Sequence, residues 1–217
     1  MDRSFGTRIL TLLLALILLS YASLRAEGDE ARTVSIRIHN YAHIQDGQLA
    51  RAQEVVSGMF GTIGVRTDWL EPLQQSEGTF EGGGASDWKP SGLGWKPSDL
   101  NVIILTAAMA NRGVIPESIL GFAAAEPGLG GRIAYVIYDR VKDITRGTQV
   151  DDMRMMGIVM AHEIGHLLLT DRSHSEDGLM RGNWESSEFR SLRPGDLHFS
   201  HLQAVEIRRT VREGVAR

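Results

Sequence analysis

The 217-residue chain contains no cysteine. That excludes a disulfide scaffold, cysteine-ligated zinc, a thiol nucleophile and a lipid-modified cysteine anchor. It also lacks any run of Lys or Arg. With 23 basic and 27 acidic residues the net charge is −4, and nothing supplies the basic footprint that phosphate contacts demand of a nucleic-acid binder. No nucleic-acid partner is expected, and neutral or mixed-charge substrates suit this balance better. What is present, 42% hydrophobic and 23% charged residues, argues against disorder and for one globular domain. Without disulfides, its stability has to come from core packing or a metal.

No apolar run reaches the roughly 20 residues of a membrane-spanning helix. The run from Ile9 to Leu19 follows Arg3 and Arg8 and leads into Ser20-Tyr21-Ala22, the three zones of a secretory signal peptide. Residues 1–22 are therefore expected to be a signal peptide, with cleavage after Ala22 or as late as Ala26. The mature protein is expected to be secreted or periplasmic, with no membrane span.

From Thr33, Val34, Ile36 and Ile38 alternate with Ser35, Arg37 and His39, a strand pattern that points His39 outward with the polar set. Leu49, Ala52, Val55, Val56, Met59 and Phe60 recur at helical spacing until Gly61 and Gly64, and Val65 to Leu70 reads as a second strand. Glu71 to Asp99 is rich in Gly, Ser and Pro, with a short echo at Trp88-Lys89-Pro90-Ser91 and Trp95-Lys96-Pro97-Ser98; it reads as a long loop. Leu100–Leu105, Ile119–Ala125 and Arg132–Tyr138 read as further strands, which together give a mixed α/β sheet. Val150 to Leu169 has no proline and carries Met153, Met156, Met160, Ile164 and Leu167 or Leu168 along one stripe, a buried helix. Ser200 with Gln203 forms a capping box that opens a C-terminal helix, with Ala204, Ile207 and Val211 facing inward.

Within the buried helix lies His162-Glu163-Ile164-Gly165-His166. Residues four apart share a helix face, so both imidazoles can reach one metal ion while Glu163 is displaced towards a metal-bound water. The pattern is expected by chance roughly 0.014 times in a chain of this composition. A catalytic zinc site needs a third protein ligand and an open position. His174, beyond the polar break Thr170-Asp171-Arg172-Ser173, is the leading candidate, with Asp171, Glu185 and Glu188 as carboxylate alternatives. His43, His198 and His201 lie outside ligand spacing and read as surface or capping residues.

His162-Glu163-Ile164-Gly165-His166, followed by His174-Ser175 and Gly178-Leu179-Met180, resembles the zinc helix, third ligand and Met-turn of the metzincin metallopeptidases. Leu120-Gly121-Phe122-Ala123 and Pro127 to Tyr135 resemble that family's edge strand and the strand beside it. The chain departs from HExxHxxGxxH in having Leu169 at the glycine and Arg172 at the third histidine, so its turn to His174 is two residues longer.

The resemblance implies a zincin-like domain over residues 33–217. A mostly parallel mixed sheet and zinc helix would span 33–169, and residues 170–217 would form a small helical subdomain with the third ligand and Met-turn. It further implies a secreted zinc endopeptidase with Zn2+ held by His162, His166 and His174, Glu163 as general base, and Met180 as an apolar floor. A peptide or protein substrate would then add as a strand along Ile119–Ala125. Two other readings stay open: a peptidase using Glu185 or Glu188 as third ligand, and a non-catalytic secreted zinc-binding protein.

Overall fold

A computed structural model describes residues 32–70, 99–112, 115–125, 132–148, 150–170, 174–182 and 197–214. The expected signal peptide and the 71–98 part of the long loop lie outside them, as do Asp171, Glu185 and Glu188. In chain order the elements are β1 (Thr33–Asn40), α1 (Asp46–Thr62), β2 (Arg66–Leu70), β3 (Leu100–Leu105), α2 (Ala107–Arg112), β4 (Gly121–Ala125), β5 (Arg132–Ile137), α3 (Tyr138–Thr145), α4 (Asp152–Leu168) and α5 (His201–Arg212). The protein is α/β. Its five-stranded sheet has the order β2-β1-β3-β5-β4, parallel except for β4, which runs antiparallel to β5 at the edge.

Alternation along the strands sorts their side chains onto two faces. Val34, Ile36, Ile38, Leu100, Val102, Ile104, Ala134 and Val136 join one apolar core with Ala52, Val56 and Phe60 of α1 and the buried residues of α4. Met153, Met156 and Met160 are all buried there, in keeping with their reading as core. Asp151 caps α4, accepting from the amides of Met153 and Arg154 at 3.0 and 3.1 Å. At the other end, the guanidinium of Arg132 on β5 donates to the carbonyl of Leu167, which gives a partner to one of the acceptors a helix C-terminus leaves open. The capping box at Ser200 forms as the sequence predicts, and Ala204, Ile207 and Val211 are buried.

Three expectations need correcting. His39 does not point to solvent: it is only 4% exposed, and its Nε2 donates to Asn101 Oδ1 at 3.2 Å beside the Arg37–Asp99 ion pair. Alternation identifies which face of a strand is apolar, but not whether the other face is covered. β1 is an interior strand whose second face also carries the buried Asn101 and Ile103 of β3. Gly61 does not stop α1, which continues to Thr62; Gly64 follows with φ +72°. Tyr138 is not the end of a strand but the start of α3. α2 is only six residues long, and α3 is amphipathic but mostly polar, burying Arg140, Val141 and Thr145. Their junction is fixed by Asp139, which accepts from the amide of Ala107 at 2.8 Å and pairs with Lys142.

α4 comes close to α1 at Gly157, where an added Cβ would sit 2.6 Å from both the carbonyl oxygen of Ala52 and the Cβ of Val55. Neither atom belongs to a flexible side-chain end. Overpacking of about 1–3 kcal/mol therefore outweighs the ~1 kcal/mol helix-propensity gain, and Gly157→Ala is expected to lower stability by about 1–2 kcal/mol. A reduced urea midpoint at unchanged slope would report it.

Burial pushes the His39 imidazole below its ordinary 6.5; the Asn101 hydrogen bond opposes the shift and Arg37 adds to it. The unfolded chain thus binds the proton more readily than the folded one. This contribution is complete above pH 6.5 and is lost as pH falls through that value towards the depressed folded one, with a slope of at most about 1.4 kcal/mol per pH unit. Urea unfolding between pH 7.5 and 5.5 should show a shallower decline for His39→Gln than for the unsubstituted chain.

Candidate metal centre

α4 stops at Leu168 because Leu169 turns to extended backbone, with φ −91° and ψ 139°, while its amide still bonds to Gly165. Beyond it the amide of Thr170 donates to Glu206 Oε1 of α5 at 2.7 Å. The chain is next described at His174, which opens a compact loop running to Gly182. Ser175 N donates to Met180 O at 2.9 Å, and Leu179 N donates to His198 O at 3.0 Å. Gly178 takes φ +72°, and a Cβ there would meet the carbonyl oxygen of His198 at 2.7 Å. The turn therefore favours glycine on two counts.

This loop docks under α4 through two neighbouring residues. Leu179 presents its carbonyl to His162 Nδ1 at 2.7 Å. Met180 packs its sulfur where a Cβ on Gly165 would come within 2.5 Å. Phe199 closes the same spot from the other side and meets Phe60 of α1 with ring centroids 5.0 Å apart. The result brings His162, His166 and His174 together, each able to offer a ring nitrogen, with these atoms all within 4.8 Å of one another. Gly182 leaves room for the third ring, since a Cβ on it would meet His174 Nδ1 at 2.5 Å.

The donor chemistry fits a metal. A carbonyl only accepts, so His162 Nδ1 carries the ring proton and its Nε2 keeps the lone pair. That Nε2 lies 3.0 Å from His166 Nε2. Two nitrogens bound tetrahedrally to one zinc at 2.0–2.1 Å would be about 3.3 Å apart, so small adjustments suffice. Burial pushes the His162 ring below its ordinary pKa, the bond to Leu179 opposes that, and the nearby His174 adds to it. The net effect favours the neutral ring, the form that ligates. Three imidazoles accept zinc, copper, iron or nickel.

No protein-family model matches the chain, and no curated protein matches it. The site is therefore described by its own geometry.

Glu163 faces away from the loop and towards β4. It is 6% exposed, and burial raises its carboxyl to about 8. A Cβ on Gly121 would sit 2.9 Å from both Glu163 Cγ and Oε1, and 2.8 Å from the carbonyl oxygen of Tyr135; only glycine fits where the edge strand crosses this carboxyl. Glu163, His166 and His174 line one side of a cleft of about 490 Å3. The rest of its lining is apolar: Ile115, Pro116 and Ile119 from the segment entering β4, then Gly121, Phe122 and Ala123 of β4 itself.

His43, His198 and His201 are exposed and outside the cluster, His198 contributing only its carbonyl to the loop. Sequence reasoning did not single out Gly121, Gly182 or the Leu179 carbonyl. The two glycines stand next to motif residues and could have been suspected, whereas a backbone acceptor leaves no mark in residue identity.

The three-histidine cluster is expected to bind one zinc per chain. Changes to groups that merely orient a ligand cost about 10–100-fold in affinity, so His166→Ala or His174→Ala should cost more than about 100-fold. Free zinc at about 1,000 times its dissociation constant should raise unfolding free energy by about 4 kcal/mol. Calorimetric titration of the chelator-stripped protein, with and without each substitution, checks both.

Proposed function

We propose that the protein is a zinc-dependent endopeptidase of metzincin-like, zincin fold, secreted or periplasmic, acting on peptide or protein substrates. One observation carries the reading: three imidazoles converge on a shared point in a cleft, with a buried glutamate beside them and an edge strand above. A structural zinc site is normally closed by four protein ligands and has no need of the glutamate. Among the described residues this cluster has three, two of which line the cleft. The mostly parallel sheet with its one antiparallel edge strand is compatible with that fold. No helix among the described residues is long and apolar enough to cross a membrane.

His162, His166 and His174 would hold the ion. Zinc held by three imidazoles supplies Lewis acidity, which acidifies water and polarises a carbonyl. Glu163 takes the proton from the attacking water and later gives it to the departing amine. Its carboxyl, raised by burial alone, ionises more readily once positive charge sits among the three rings. β4 offers its free side at the sheet edge to an extended peptide, whose backbone would pair there with little demand on side-chain identity. The apolar wall beside it receives a substrate side chain.

Cleavage of a diverse peptide mixture by the zinc-loaded protein, read by mass spectrometry against Glu163→Ala carrying the same zinc, tests the proposal. Cuts made by the first and absent with the second are expected. Removal of a general base typically costs 10²–10⁴-fold in rate. Equal cutting by both would sink the assigned role of Glu163, and no cutting by a folded, zinc-loaded chain would favour the binding-protein reading.

A further inference from the structure

Arg140 lies on α3, three residues beyond the end of β5, and is buried at 7% exposure. Its Nη1 donates to the carbonyls of Pro116 at 2.6 Å and Ile119 at 2.7 Å. Nη2 donates to the carbonyl of Ile115 at 2.9 Å and to Asn111 Oδ1 at 3.2 Å. A guanidinium carries two hydrogens on each Nη, so four donors meet four acceptors. Three of these acceptors are main-chain carbonyls of the five residues 115–119. That stretch supplies Ile115, Pro116 and Ile119 to the apolar wall of the cleft and runs directly into β4. The helix bearing Arg140 is continuous with β5, which pairs with β4 in fixed register, Gly121 against Val136 and Phe122 against Tyr135. One cation thus ties the wall to the part of the sheet that faces Glu163.

We propose that Arg140 is a positioning residue that holds segment 115–119 as the wall of a pocket for a bulky apolar substrate side chain next to the bond being cut. The assignment rests on the peptidase reading for its substrate, but not for its geometry. Segment 115–119 has few bonds of its own: Ile119 N reaches Pro116 O at 3.1 Å, and Ile115 N reaches Ala110 O at 3.4 Å. Without the guanidinium, three part-buried carbonyls lose a charge-assisted partner, and among the described residues only those two main-chain bonds remain to hold Ile115 and Ile119. Arg140 touches neither Glu163 nor the three histidines, so zinc binding is expected to survive its loss. A lysine keeps the charge but lacks the planar fork and cannot reach four spread acceptors.

The test uses two peptidyl hydroxamates that differ in one side chain, isobutyl against methyl, titrated calorimetrically into the zinc-loaded full chain and its Arg140→Met and Arg140→Lys variants. Hydrogen exchange is followed on the same samples. The unsubstituted protein should prefer isobutyl by about tenfold or more, and both variants should fall below about threefold while retaining one zinc per chain. Amides of 115–121 should exchange at least about tenfold faster in the variants, with β1 and β3 unchanged. A merely structural role would weaken both hydroxamates alike and leave their ratio intact, which would overturn the proposal, as would wild-type exchange in 115–121. If Arg140→Met fails to fold, Arg140→Lys decides by the same two readouts. If neither hydroxamate binds the unsubstituted chain, the peptidase reading fails and exchange alone decides: local acceleration upholds the clamp, and unchanged protection overturns it.

Discussion

The hydrogen bond from His162 Nδ1 to the carbonyl of Leu179 is the constraint on which the centre depends. It selects the tautomer of the ring and so fixes which nitrogen remains available to a metal. It also provides the polar link between two segments distant in sequence, the buried helix α4 and the loop that begins at His174. Because Leu179 and Ser175 are themselves held by backbone bonds to His198 and Met180, a contact made at one end of the loop sets the position of His174 at the other. Met180, the next residue, adds apolar packing against Gly165, so the loop is held by a polar bond and a close contact one residue apart.

The setting makes that bond matter more. α4 is buried from Met155 to Leu168 without interruption, which places His162, Glu163 and His166 as three polar side chains on an otherwise apolar helix. Each such group costs about 1–3 kcal/mol if left without a partner. The chain groups them, so that the two rings meet edge-on with their Nε2 atoms 3.0 Å apart, His162 also bonds the loop, and the carboxyl lines the cleft. Apolar packing of α4 against α1 and the sheet is what holds them in place. Polar chemistry is therefore carried by a helix whose surroundings are almost wholly apolar.

Periodicity revealed this arrangement as far as it went. Leu100–Leu105 and the C-terminal helix were legible to within a residue or so, because a continuous apolar run and a capping box are local signals. The two histidines four apart were legible for the same reason. His174 could be nominated but not placed, since eight residues and a chain reversal separate it from His166, and its position depends on the non-local bonds of Leu179 and Ser175. α2 and α3 were missed because they are short, at six and eight residues, and are held largely by tertiary polar bonds, from the Ala107 amide to Asp139 and from Arg140 to Asn111 and the carbonyls of Ile115, Pro116 and Ile119. His39 was misread because coverage of the second face of a strand is a tertiary fact that two-residue alternation does not encode.

Glycine is where local and tertiary information meet in this protein. Gly64 and Gly178 answer to backbone dihedrals, but Gly121, Gly165 and Gly182 each answer to a neighbour: the Glu163 carboxyl, the Met180 sulfur and the His174 ring. At these three positions the missing side chain is the space a functional group occupies. The resemblance to HExxHxxGxxH led attention to Leu169, where a glycine is absent and the chain leaves the helix in ordinary extended geometry. Glycine is required instead at Gly178, inside the loop, where the left-handed conformation and the His198 carbonyl both demand it. The place of the third ring is thus set within the loop itself, which stays pinned to His162 through the carbonyl of Leu179.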